Sequence, residues 1–264
     1  MRVAIIGGGV MGEALLGAAL ERRVFATEEA IVCDVVQQRR DQLKAEYGIA
    51  TTESSMEAMD GADLVVLSVK PQDAPSVRGT LAPDALLLSI MAGVRLHSIV
   101  DSFAHRKVVR VMPNTPVAAK AGMSVWTATP EVTPEQRELA RSLLAAIGRE
   151  LYVDDEKKVD MATAVSGSGP GYVFLFIEAM IEGAVAIGLT RAQAQEMVLQ
   201  TFYGSALYAL ESGRPPAELR AMVTSPAGTT AAGLLEMERG AIRAAIIEGV
   251  QAAHERAIEL GSAR

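Results

Sequence analysis

The hexapeptide Gly7-Gly8-Gly9-Val10-Met11-Gly12 constrains this chain more than any other stretch. It comes directly after the apolar run Val3-Ala4-Ile5-Ile6 and opens a second apolar stretch, residues 14–20. Strand, Gly-x-Gly-x-x-Gly turn and helix is the order that a dinucleotide phosphate site requires. Gly7 permits the tight turn. Gly9 leaves no side chain between backbone and pyrophosphate, and Gly12 lets the helix pack close to the strand. The anion then sits on unpaired N–H groups at the positive end of the helix. The alternative is a glycine-rich strand-to-helix turn that carries no ligand.

A dinucleotide site also needs an acid at the end of the next strand. Residues 30–33 read as that strand and Asp34 ends it, roughly twenty residues beyond Gly12 as the fingerprint expects. A carboxylate there accepts hydrogen bonds from the ribose hydroxyls of NAD and repels the extra phosphate of NADP. Arg39 and Arg40 stand close behind and offer that phosphate a partner instead. The choice between NAD and NADP stays open at this point.

With 264 residues, half of them hydrophobic, the chain can bury a large core and exceeds one ordinary domain. Its net charge of −7 and lack of a basic run argue against a nucleic-acid partner. The single cysteine, Cys33, cannot form an internal disulfide and suits a reducing cytoplasm. The start of the chain passes straight into a strand with no charged leader, so no signal peptide is expected. Apolar stretches such as residues 171–181 are interrupted by Glu178 and Glu182 and read as too short and too polar to span a membrane.

Strand-like runs at 3–6, 30–33, 64–68, 86–89, 108–111 and 124–128 alternate with helical ones at 37–46, 95–101 and 134–147. That alternation predicts an α/β domain with a doubly wound parallel sheet. Near residues 150–155 the character changes. The remainder of the chain carries helical patterns only, with breaks at 166–171, 212–216 and 225–228. The expected division is therefore a dinucleotide-binding domain over 1–153 and an all-α domain over 154–264. Segments 172–188, 192–211 and 241–260 are apolar around much of the helix circumference, which predicts burial against a second copy of the chain.

Ligands in open parallel sheets sit beyond the carboxyl ends of the strands. Three loops leave such ends: Ser68-Val69-Lys70-Pro71, Met91-Ala92-Gly93, and Met112-Pro113-Asn114-Thr115-Pro116. Pro71 prevents direct continuation as a helix, Gly93 allows close approach by a planar ring, and the third loop presents the Asn114 amide. In the helical half, Ser166-Gly167-Ser168-Gly169-Pro170-Gly171 precedes a long helix. Ser225-Pro226-Ala227-Gly228-Thr229-Thr230 opens another, and its free N–H groups and hydroxyls suit a carboxylate.

These motifs, in this order, resemble those of pyrroline-5-carboxylate reductases, and the similarity runs almost end to end. The resemblance implies a Rossmann-type domain followed by an all-α dimerisation domain, a homodimer through the C-terminal helices, and in some members a decamer of five dimers. It implies reduction of 1-pyrroline-5-carboxylate to proline by NADPH or NADH, the last step of proline biosynthesis, with no metal. Carried over by position, Gly7, Gly8, Gly9, Val10, Met11 and Gly12 hold the pyrophosphate, and Asp34, Val35 and Ser55 lie near the adenosine ribose. Val69, Lys70, Pro71, Ala92, Gly93 and Asn114 line the nicotinamide side. Ser225, Gly228, Thr229 and Thr230 hold the substrate, with Glu156 and Ser168 also on the substrate side and Ser225 and Thr230 catalytic. The chain departs from the family pattern in having Ala227 where many members have a second Gly, Asp34 where an uncharged residue is common, no Asn near Ser54-Ser55, and Arg214-Pro215 in place of a His-Pro pair.

The chemistry agrees with an imine substrate. A protonated cyclic imine becomes a neutral amine when it accepts hydride, so no strong acid is needed, whereas a carbonyl would generate an alkoxide. No Lys, His or Arg occurs between Pro170 and Arg191, where a β-hydroxyacid dehydrogenase would need its acid–base group. His97, His105 and an exposed His254 are expected to be structural. The other competing reading, a non-catalytic sensor of nicotinamide cofactor, has no need of the 225–230 loop. The reductase reading requires the glycine cradle and the threonine loop to converge on one crevice.

Overall fold

Strict alternation along short apolar strands builds the first part of the molecule. The computed structural model describes residues 1–262. In β1 (Val3–Ile6), Val3 and Ile5 enter one hydrophobic core while Ala4 and Ile6 enter another on the opposite face. A strand buried on both faces has no polar alternation, which is why these runs read as continuously apolar. The other strands are β2 (Ala30–Cys33), β3 (Ala50–Thr52), β4 (Leu64–Leu67), β5 (Leu86–Ser89), β6 (Val108–Met112), β7 (Gly122–Ala128) and β8 (Gly148–Tyr152). Among the described residues they form one sheet of eight strands in the order β3-β2-β1-β4-β5-β6-β7-β8.

All neighbours pair in parallel except β6 and β7, which are antiparallel. The doubly wound parallel sheet expected from the alternation is present, with one antiparallel pair in it. Only nine residues, 113–121, separate β6 from β7, too little chain for a parallel crossover. The order reverses between β1 and β4, so the crevice at their carboxyl ends is the topological switch point.

Helices α1 (Val10–Glu21), α2 (Gln37–Tyr47), α3 (Ser55–Met59), α4 (Leu96–Phe103) and α5 (Pro134–Ala146) cover the sheet. Leu15 and Leu16 of α1 and Leu143 and Leu144 of α5 are fully buried against one face, each contributing about 1.5–3 kcal/mol. Thr133 and Gln136 form a reciprocal capping box at the start of α5. At the sheet edge, the Trp126 indole N–H donates to Glu150, and its ring meets Tyr152 edge-on at 4.9 Å, fastening β8 to β7.

The remaining helices are α6 (Glu156–Ala162), α7 (Gly169–Ala186), α8 (Arg191–Ser212), α9 (Pro216–Met222), α10 (Thr229–Arg239) and α11 (Ile242–Ser262). The expected break over 166–171 is instead a π-helical turn, Thr163–Gly167, running into α7. Thr163 and Ser166 return their hydroxyls to the carbonyls of Val159 and Ala162 one turn back, so neither hydroxyl is left to compete for the backbone of another conformation, and such back-bonding goes with a local distortion of the helix. The helical run from Glu156 to Ala186 is consequently 31 residues long with mean hydropathy 1.3, enough by length and composition to cross a bilayer. This corrects the expectation that the stretch is too short and too polar.

By its internal packing the chain divides into two units. One comprises residues 1–168 with the C-terminal stretch from Ala253, and the other residues 169–252. Within the second unit α7 packs on α8, and few side chains are buried. Phe174, Leu175, Ile187, Tyr203 and Leu210 are all more than 60% exposed.

Candidate active site

The glycine turn is held in place from β4. The Ser68 hydroxyl donates to the Gly7 carbonyl at 2.5 Å and lies 3.1 Å from that of Ile6. Gly7 has φ +102°, and a Cβ there would stand 2.9 Å from the Ser68 carbonyl. A Cβ on Gly12 would lie 2.1 Å from the Gly7 carbonyl oxygen and 2.7 Å from the Ser68 hydroxyl. Gly7, Gly12 and Ser68 thus interlock, and neither glycine can gain a side chain without displacing the turn. Gly9 differs: a Cβ there meets nothing within 4 Å. It is the N-cap of α1 and supplies no side-chain cap, so the first-turn N–H groups, those of Val10 and Met11 included, lack helical partners. An open glycine at an uncapped helix start fits a dinucleotide pyrophosphate.

Asp34 stands just past β2. One carboxylate oxygen accepts from the Gly8 N–H at 2.8 Å and the other from the Val36 N–H at 2.9 Å. A cavity of about 570 Å³ opens beside these groups. Its walls include Gly7, Gly9, Asp34, Val35, Ser55, Val69 and Lys70, so it gathers expected residues from both the ribose and nicotinamide sides. It also includes Ser68, Glu53, Asp73, Ser76 and Val77, to which the sequence alone assigns no role. Ser68 carries a usable signal, since it stands at the carboxyl end of the strand next to β1. Cys33 lies in the same wall. Burial, and then the charge of Asp34, push its thiol up to about 11, so it stays a neutral thiol at ordinary pH.

Several expected nicotinamide-side residues lie outside this cavity's wall. Pro71 begins a 3₁₀ turn, Pro71–Ser76. Ala92 is exposed, and Gly93, at φ +72°, faces Leu260 near the end of α11. The Asn114 amide is not presented freely. Its NH₂ donates to the Ser166 carbonyl at 3.0 Å and its oxygen accepts from the Met123 N–H at 2.8 Å, which braces the loop after β6. A Cβ on Gly167 would meet the Met112 methyl at 2.6 Å, so that glycine serves packing between the same two segments.

Glu156 opens α6 and is also engaged. It accepts from the Leu96 N–H at 2.7 Å and pairs with Arg110 at 2.8 Å. Arg110, in the middle of β6 and 2% exposed, pairs with Asp160 at 2.6 Å as well. Ser168, just past the π turn, donates its N–H to the Thr163 carbonyl.

In the second unit, residues 225–230 form a tight turn into α10. The Gly228 N–H donates to the Ser225 carbonyl at 3.0 Å, and a Cβ on Gly228 would stand 2.3 Å from the Ser225 hydroxyl oxygen. Ala227 takes a left-handed conformation, φ +57°. Gly228 is the N-cap, without a side-chain cap, and Thr229 and Thr230 are exposed in the first turn. An uncapped helix start with two hydroxyls beside it offers hydrogen-bond donors that an anion could use.

The histidines lie apart from these features. His105 is buried with Nε2 2.7 Å from the Ala85 carbonyl, and His97 is beside Ser98 on α4. His254, expected to be exposed, is half-buried with its Nδ1 shielded, because the end of α11 packs into the first unit. Among the described residues no group of three or more His, Cys, Asp or Glu is placed to hold a metal.

Residues 156–260 match the family model described as pyrroline-5-carboxylate reductase dimerisation, and residues 2–93 one described as NADP oxidoreductase, coenzyme F420-dependent. The pyrroline-5-carboxylate reductase of Synechocystis is 42% identical, covering 99% of this chain and 98% of the relative. That of Pseudomonas aeruginosa is 40% identical over 98% and 96%. Among solved structures, the Coxiella burnetii pyrroline-5-carboxylate reductase superposes with a TM-score of 0.89 at 33% identity, covering 98% of each chain. The NADP-bound Plasmodium falciparum pyrroline carboxylate reductase does so with 0.88 at 29%, covering 99% of this chain and 98% of that one. A reductive aminase from Aspergillus terreus, at 17% identity and a TM-score of 0.62, shares the fold. With its glycine cradle, its helical second half and relatives matched along nearly their whole length, the chain belongs to the pyrroline-5-carboxylate reductase family.

Proposed function

We propose a division of labour for the reduction of the C=N carbon of 1-pyrroline-5-carboxylate to L-proline. Residues 1–153 hold a nicotinamide dinucleotide, and residues 154–264 bind substrate and carry self-association. The end of the sheet at Tyr152 and the start of the matched dimerisation segment at residue 156 support this functional boundary, whereas internal packing alone divides the chain after Ser168 and returns the stretch from Ala253 to the first unit. Gly7 to Gly12 hold the pyrophosphate through first-turn N–H groups, Asp34, Val35 and Ser55 the adenosine ribose, and Val69, Lys70, Pro71, Ala92 and Gly93 the nicotinamide side. When bound, the reduced cofactor, NADH or NADPH, supplies the hydride.

The observation that carries the substrate assignment is the uncapped start of α10 at Gly228. Its N–H groups and the hydroxyls of Ser225 and Thr229 receive the carboxylate. Thr230 hydrogen-bonds the ring nitrogen and keeps its proton in place. Because the iminium already bears that proton, Thr230 orients rather than acidifies, and catalysis rests on positioning two planar rings. Asn114 and Glu156 act as positioning groups, since both are already held by protein partners, and Ser168 stays on the substrate side. No metal has a role in this reading. The exposed apolar residues of α7, α8 and α11 are covered by a second copy in a homodimer, with a decamer of five such dimers as the alternative assembly. The apolar run through α7 belongs to that dimer and not to a membrane, no nucleic acid is bound, and the protein works in the cytoplasm.

Purified protein mixed with pyrroline-5-carboxylate and reduced nicotinamide cofactor will form proline with matching loss of cofactor absorbance. Cofactor binding without any proline would overturn the reductase reading in favour of a sensor.

A further inference from the structure

We propose that the adenosine end of the cradle selects a dinucleotide with a free ribose 2′-hydroxyl, NADH, over its 2′-phosphorylated counterpart, and that Asp34 is the specificity-determining residue. The inference rests on the cofactor assignment made above and adds a choice that it leaves open.

Asp34 is fixed by two backbone N–H groups, one on each carboxylate oxygen, at 2.8 and 2.9 Å. Each oxygen keeps a further acceptor direction for a ribose hydroxyl. A phosphate at the same place would meet a fixed anion and would need a nearby cation to offset it.

Three arginines stand near this end of the cavity: Arg78, whose backbone pairs with the Ser55 hydroxyl, turns its guanidinium back to the carbonyls of Pro75 and Val77, and the two that follow Asp34 are committed elsewhere. Arg39 turns back over the glycine turn, donating Nε to the Gly8 carbonyl at 2.5 Å and pairing with Glu13 of α1. Arg40 is buried. It donates to the Asp34 carbonyl at 2.8 Å and to Gln37 at 2.7 Å, and pairs with Glu53 at 3.5 Å. The cavity wall adds two further acids, Glu53 and Asp73. Its one cation, Lys70, stands beyond β4, which lies on the opposite side of β1 from β2 and Asp34. Accommodating a 2′-phosphate would mean breaking the Arg39–Glu13 or Arg40–Glu53 pair, or turning Arg78 away from its carbonyls, as well as facing Asp34.

The test is equilibrium binding by calorimetry on the intact protein, without substrate. NADH is expected to bind at least about tenfold more tightly than NADPH, or about 1.4 kcal/mol. Adenosine 5′-monophosphate should compete better than adenosine 2′,5′-bisphosphate. Asp34→Ser should narrow the NADH-to-NADPH ratio at least about fivefold, and Glu53→Gln should narrow it less. If Asp34→Ser does not fold, the wild-type ratio and Glu53→Gln still decide. NADPH binding within tenfold of NADH or more tightly, or an unchanged ratio in folded Asp34→Ser, would overturn the proposal while leaving the cofactor site intact. Binding of neither dinucleotide would overturn both this proposal and the cofactor assignment beneath it.

Discussion

Gly9 and Gly12 stand three residues apart and answer to different demands. A methyl at Gly12 collides with the Gly7 carbonyl and the Ser68 hydroxyl inside the protein. A methyl at Gly9 meets open space, the space assigned to the pyrophosphate. Gly12→Ala should therefore lower stability by about 1–3 kcal/mol and abolish dinucleotide binding. Gly9→Ala should leave the denaturation midpoint nearly unchanged yet weaken dinucleotide binding by about tenfold or more. Denaturation curves and calorimetry on the two variants separate these effects. Arg110 presents the opposite case, a buried charge with two partners. Arg110→Met strands Asp160 and Glu156 and should cost about 3–5 kcal/mol in a denaturant titration. A loss below about 1 kcal/mol would mean that water or other donors replace the guanidinium for both carboxylates.

At the scale of elements, the start of α10 combines a functional demand with a local cost. Ala227 adopts φ +57°, where glycine is at ease and a Cβ is not. Ala227→Gly should thus raise stability or leave it unchanged, by up to about 1 kcal/mol, as read from thermal unfolding. Most elements were legible because their signals are strong. Val3-Ala4-Ile5-Ile6 and Leu64-Val65-Val66-Leu67 are apolar on both faces, and residues 134–147 carry a helical apolar pattern. Two strands were not. The first, β3, is only Ala50-Thr51-Thr52, and β8, Gly148-Arg149-Glu150-Leu151-Tyr152, lies at the edge with polar and exposed positions. Both edges are too short or too polar to show a period. The turn over 163–167 escaped for another reason. Gly and Ser read as a break, but the segment continues as a π turn in which the Thr163 and Ser166 hydroxyls bond back to carbonyls of the preceding turn. Among candidate site residues, the glycine turn and Asp34, which the structure brings to one cavity, are marked in the sequence by their spacing alone. The bracing of Asn114 and Glu156 was not, because their partners lie 46 to 60 residues away or across a neighbouring strand.

For the whole molecule, the exposed apolar side chains of residues 169–252 are the dominant fact. Phe174 and Leu175 on α7, Tyr203 and Leu210 on α8 and Ile247 on α11 are uncovered in one chain. That much apolar surface marks an association face. Sedimentation of the purified protein should show dimers or their multiples across the micromolar range, and a stable monomer would contradict this. The central claim, however, is functional: the nucleotide cradle serves the cofactor and Thr230 serves the imine. Steady-state kinetics of Thr230→Ala, paired with calorimetric dinucleotide binding, tests it most directly. The account predicts a fall in kcat/KM for pyrroline-5-carboxylate of about 10- to 100-fold with cofactor affinity unchanged. Wild-type turnover and substrate affinity in Thr230→Ala would contradict it.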